Sequence, residues 1–126
     1  MKRNQKQRNL LADVLEAKYD QDRARLNTAQ KKVEDLQAQI DELAIARWTG
    51  EALAGDLNMM HYASAAEKWI SAERARLNIE LSQALAHRGS VEAELRRSFG
   101  RWHAFASLSE KLSDAERQIR RRRQVS

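Results

Sequence analysis

The chain has no proline among its 126 residues and only four glycines, Gly50, Gly55, Gly89 and Gly100. Proline blocks a helix by removing a donor and clashing with the preceding turn, and glycine loosens one, so a chain that avoids both has few enforced stops. The stretches between the glycines are rich in alanine, leucine, arginine, glutamate, glutamine and lysine, the good helix formers. One or two very long helices are therefore expected, of the kind found in rods, stalks and adaptors. Charged residues make up 33% and aromatics 6% of the chain, thin material for a globular interior but enough for the narrow buried stripe of a coiled coil.

The first helix is predicted over about residues 8–47. On a heptad grid, one row is Ala12, Tyr19, Leu26, Val33 and Ile40, and the alternating row is Leu15, Asp22, Ala29, Leu36 and Leu43. Asp22 alone breaks the apolar 3-4 spacing of a coiled-coil seam, either as a register marker or as a place where the seam loosens. Trp48 to Asn58 holds two glycines, a threonine and an Asp-Leu-Asn stretch, so the reversal is predicted at about 48–57. The second helix follows over about 58–123. One of its rows is Ile70, Leu77, Ala84, Val91, Ser98, Phe105, Leu112 and Ile119, and the partner row is Leu81, Arg88, Leu95, Trp102, Ser109 and Glu116. The expected fold is all-α, a long antiparallel two-helix coiled-coil hairpin forming a single domain over residues 1–126.

At 1.5 Å per residue the periodic part of helix one, from about Leu10 to Ala46, would be about 55 Å long and helix two about 98 Å. Helix one would then cover helix two only to about residue 95, and the stretch from Arg96 onward would overhang. That stretch carries Phe99, Trp102, Phe105, Leu108 and Leu112, the most aromatic stripe in the chain. A long apolar stripe without an internal partner implies an interaction. The other arrangement has the turn near 60–64 with Gly50 inside helix one, so that the stripe packs on residues 1–25.

The net charge of +5 conceals an asymmetry. Residues 1–8 carry Lys2, Arg3, Lys6 and Arg8 without an acid, and residues 117–123 carry Arg117, Arg120, Arg121, Arg122 and Arg123 without an acid. The remaining 14 basic and all 18 acidic residues lie between, leaving a mildly anionic body with two cationic ends. A nucleic-acid protein more often spreads its positive charge along one face, so nucleic acid is disfavoured as a partner. The arginine tail reads either as a solvated helix end matched to the helix dipole or as a contact for an acidic protein surface, and a hairpin, by bringing both cationic ends near one tip, raises the second reading.

Function classes can be excluded on the same footing. There is no phosphate loop, no nucleophile elbow and no His/Cys metal spacing, and His61, His87 and His103 lie too far apart on straight helices to converge. The carboxylates are scattered and mostly flanked by Arg or Lys, unlike a buried acid/base pair. An enzyme is not expected, and no cofactor or metal. No run of about 18 apolar residues exists to span a membrane, and the basic start is not followed by the apolar stretch of a secretory signal. Without cysteine there is no disulfide or thiol chemistry. A cytoplasmic protein is expected.

One resemblance emerges from these features together. The basic start leads into Leu10-Leu11-x-x-Val14-Leu15-x-x-Lys18, a glycine-containing reversal follows at Gly50 and Gly55, and the second helix enters through Tyr62 and Trp69-Ile70. It closes with Phe105-Ala106-Ser107-Leu108-Ser109-Glu110-Lys111-Leu112 and an arginine-rich tail. This arrangement resembles the FliJ/YscO family, the central stalk proteins of flagellar and injectisome type III export. The likeness is one of architecture and residue class over most of the chain. This chain is short for the family, and its predicted first helix is short for its second.

The resemblance implies an antiparallel coiled coil similar to the gamma subunit of rotary ATP synthases. The tip bearing both termini would enter a hexameric export ATPase, and the stalk would couple that ring to the export gate. Substrate chaperones would be further partners, with the protein peripheral to the inner membrane only through them. On this reading Lys2, Arg3, Lys6, Arg8 and the five arginines from Arg117 onward contact the ring, and the Phe99–Leu112 stripe binds a second partner. The alternative is a generic coiled-coil adaptor or chaperone that self-associates through the overhang.

Overall fold

The computed structural model describes the backbone of residues 2–53 and 60–125 and the side chains of residues 3–50 and 62–125. The described chain is entirely helical: α1 spans Lys2–Leu53, 52 residues, and α2 spans Met60–Val125, 66 residues. The two helices pack against each other in antiparallel fashion as a two-helix hairpin. Among the described residues no helix is long and apolar enough to cross a membrane.

α1 departs from the sequence reading at both ends, and it begins at Lys2 where about residue 8 was expected. Trp48, Thr49 and Gly50, expected in the turn, belong to α1, which continues to Leu53. The rest of the expected turn, including Gly55, lies outside the described residues. A glycine costs a helix only about 1 kcal/mol relative to alanine, and Gly50 is flanked by Ala46, Arg47, Glu51 and Leu53, which favour helix. The Thr49 hydroxyl donates to the Ile45 carbonyl at 3.0 Å, so even the residue that should open a turn bonds back into the helix. Gly89 is likewise passed without a break in α2.

Contacts cluster into two units. Unit 1 joins Met1–Leu26 to Val91–Ser126, and unit 2 is Asn27–Ser90. Unit 2 is built on the two heptad rows. Val33 and Leu36 of α1 meet Leu77 and Ala84 of α2, with Ile40, Leu43 and Leu81 packed around them. Leu77 is 2% exposed, and burying such a side chain is worth about 1.5–3 kcal/mol. Ion pairs and amides flank this core. Arg88 donates to Gln30 at 3.0 Å, and Arg47 to Glu67 at 3.3 Å, both across the pair and both in the antiparallel sense. Along α2, Arg76 bonds Glu80 at 2.7 Å and also Glu73, and the Arg76 hydrogen bond holds the Glu73 carboxyl below its usual range.

Unit 1 repeats the pattern with more polar and aromatic seam residues. Val91 is buried, as are Asp22 and Ser98, while Ala12, Leu15, Tyr19 and Leu26 are half-buried with Leu95, Trp102 and Phe105. Three contacts fix its antiparallel register. Arg25 meets Glu94 at 2.6 Å, the Tyr19 and Trp102 rings stack at 5.4 Å, and Arg8 meets Glu116 at 2.9 Å. The stretch after Arg96 therefore does not overhang. α1 begins at Lys2 and runs through Gly50 to Leu53, so the aromatic stripe packs on the first 25 or so residues, as in the second arrangement, although residues 60–64, where that arrangement put the turn, belong to α2.

Candidate interaction surface at the end bearing both termini

The end of unit 1 is organised from the seam outward. All ten heptad positions named in α1 are buried or half-buried, including the polar one. Asp22 is 0% exposed. Its Oδ1 accepts from Lys18 Nζ at 2.9 Å and lies 3.6 Å from Arg25 Nη1. The Lys18 hydrogen bond holds its carboxyl below the usual range against the opposing effect of burial, helped by the Ser98 hydroxyl and by the charges of Lys18 and Arg25. The second oxygen, Oδ2, makes no hydrogen bond, and the Ser98 hydroxyl donates to the Leu95 carbonyl at 3.1 Å. A charge buried in a seam costs free energy unless it is paired, so the position specifies one register, in which two cations and a hydroxyl surround it.

Next to Asp22 the aromatic residues form one cluster. Tyr19 contacts Phe99 at 5.5 Å as well as Trp102, Phe99 stacks with His103 at 5.6 Å, and Arg23 sits 5.6 Å above the Tyr19 ring. Such contacts add about 0.5–1.5 kcal/mol per ring pair beyond burial. Phe99, Trp102 and Phe105, expected to serve an external partner, thus sit at or beside the seam of unit 1. Tyr19 was readable as a seam residue, but its role as their aromatic partner depends on the longer α1. Phe99, Leu108 and Leu112 do remain exposed.

Beyond the aromatics lie the charged residues. Arg8 is half-buried and committed to Glu116, so it belongs to the scaffold of this end as well as to its charge. Arg3 and Lys6 are exposed, as are Arg117, Arg120, Arg121, Arg122 and Arg123, and the side chain of Lys2 lies outside the described ones. Arg117 approaches Asp114 at 3.5 Å. Gln5 of α1 and Ser113, Glu116, Arg117 and Arg120 of α2 line one recess of about 130 Å³, so the basic segments from the two ends of the chain meet there. Arg122 and Arg123 occupy the last turn of α2, where the helix dipole favours cations. Among the described residues no group of three or more His, Cys, Asp or Glu side chains could hold a metal ion.

Comparison with protein-family models, with curated proteins and with solved structures gives no match. The class that fold and surface define is a two-helix hairpin with a cationic end.

Proposed function

We propose that this protein is a non-enzymatic stalk or adaptor of a type III protein export apparatus, contacting a hexameric export ATPase through the end of unit 1 that bears both termini. The partners come from the resemblance of the chain to the FliJ/YscO family. The observation that supports the reading is the recess where Gln5 meets Arg117 and Arg120, because a stalk tip of this kind needs both basic segments on one end. Basic side chains on a rigid helical end suit an acidic ring lumen, where complementary charge speeds encounter and selects the partner. The export gate and substrate chaperones would be reached along the remaining helical surface. The test is ATP turnover by a purified export ATPase with and without this protein. Stimulated turnover, reduced when Arg120, Arg121, Arg122 and Arg123 are changed to Gln, is expected, and unchanged turnover and hexamer formation would overturn the reading.

A second reading, a self-associating coiled-coil adaptor, draws on the exposed Ile45, Trp48 and Trp69 of unit 2. Sedimentation equilibrium separates the two, since a strict monomer at tens of micromolar removes it.

A further inference from the structure

The flanks of the unit 1 seam are not alike. The Arg25–Glu94 ion pair at 2.6 Å marks one of them. Seven residues toward the start of α1 and seven toward the end of α2, heptad spacing puts Lys18 and Arg101 on the same flank, and a further heptad puts Leu11 and Leu108 there. Leu11 is 47% exposed and Leu108 54%, and Leu112, although a seam position, is still 43% exposed. The opposing α1 segment supplies Arg8 and the small Ala12, which leave that part of the seam open. Val14 and Leu10 extend the apolar surface onto the outer side of α1. Around it lie cations. Lys18 is drawn to Asp22, whereas Arg101 and Lys111 are exposed and make no ion pair among the described residues.

We propose that this flank is a docking groove for an acidic amphipathic helix of a partner protein. The partner's apolar stripe would lie on Leu11, Leu108 and Leu112, and its carboxylates would face Arg101 and Lys111. Charge complementarity selects this occupant. A second copy docking on the same flank would set one cationic surface, with Lys18, Arg101 and Lys111, against another, because a two-fold interface pairs a surface with itself. A lipid surface calls for apolar side chains that project into the headgroup boundary. Leu11 and Leu112 instead are only about half exposed beside the seam of two helices, a setting that suits a third helix. The inference does not depend on the export reading.

The experiment uses the full chain and a labelled, designed helical peptide with leucines at i, i+3, i+4 and i+7 and glutamates beside them, followed by fluorescence anisotropy. Saturable binding is expected, weakened about tenfold or more in a Leu11→Gln/Leu108→Gln variant, as for the central residues of an interface. Arg101→Glu with Lys111→Glu should weaken it comparably while leaving the leucines and the circular dichroism intact, and Ile79→Gln in unit 2 should leave it unchanged. Absence of binding overturns the proposal. So does binding that survives both groove variants but is lost when Arg120, Arg121, Arg122 and Arg123 become Gln, which would assign it to the basic end. Retention on phosphatidylserine vesicles, or self-association by sedimentation, that depends on the same leucines would replace the helical partner with a membrane or a second copy.

Discussion

Asp22 shows how one side chain sets the terms for its neighbours. It occupies a position where the heptad calls for leucine, is fully buried, and keeps its charge because Lys18, Arg25 and Ser98 surround it. A carboxyl whose folded pKa is depressed stabilises the fold above its unfolded value of about 3.9, and that contribution is lost as the pH falls through the lower folded value. Thermal melts of the wild type should therefore lose stability below about pH 4. An Asp22→Asn variant, less stable at pH 7, should lose less over the same interval. Equal acid losses in the two proteins would show that Asp22 is not the group titrating. Sequence showed that position 22 was exceptional and left two readings open. The structure favours the register marker, since Asp22 is fully buried beside Lys18 and Arg25, and the ion pair of Arg25 with Glu94 is a contact across the seam that periodicity alone does not contain.

Within the elements, most of the architecture was legible because a 3.5-residue repeat has one geometric solution. Val33 and Leu36 against Leu77 and Ala84 follow directly from the rows. The end of α1 was not legible, and the reason is physical. Glycine was read as punctuation at Gly50, but its cost to a helix of about 1 kcal/mol is smaller than what the surrounding residues and seam return. Moving that end by a few residues removed the overhang and gave the aromatic stripe an internal partner, Tyr19. Gly89 offers a measurable consequence. Apart from its chain neighbours and the backbone of its own helix, no atom lies within 4 Å of where its Cβ would stand, so alanine fits without a clash. Gly89→Ala should raise unfolding stability by about 0.5–1 kcal/mol. Denaturant titration checks this, and a loss of stability would mean that α2 needs the glycine for a bend or a close contact.

For the molecule as a whole, the cationic ends were visible in sequence, and so was their convergence in a hairpin. The recess shared by Gln5, Arg117 and Arg120 adds the contact between them. What sequence missed is Leu11 beside the expected Leu108, because Leu11 stands in no seam row and its place on that flank follows only once the Arg25–Glu94 register is known. Unit 1 thereby carries two different surfaces, a basic end and an apolar groove bordered by cations. The basic end is the proposed docking end. A photoreactive residue placed at Arg121 of unit 1, and separately at exposed Ile79 of unit 2, tests it most directly when each protein is irradiated with a purified hexameric export ATPase. The prediction is a cross-link to the ATPase from position 121 and none from position 79. A cross-link from position 79 alone, or from neither position, would contradict it.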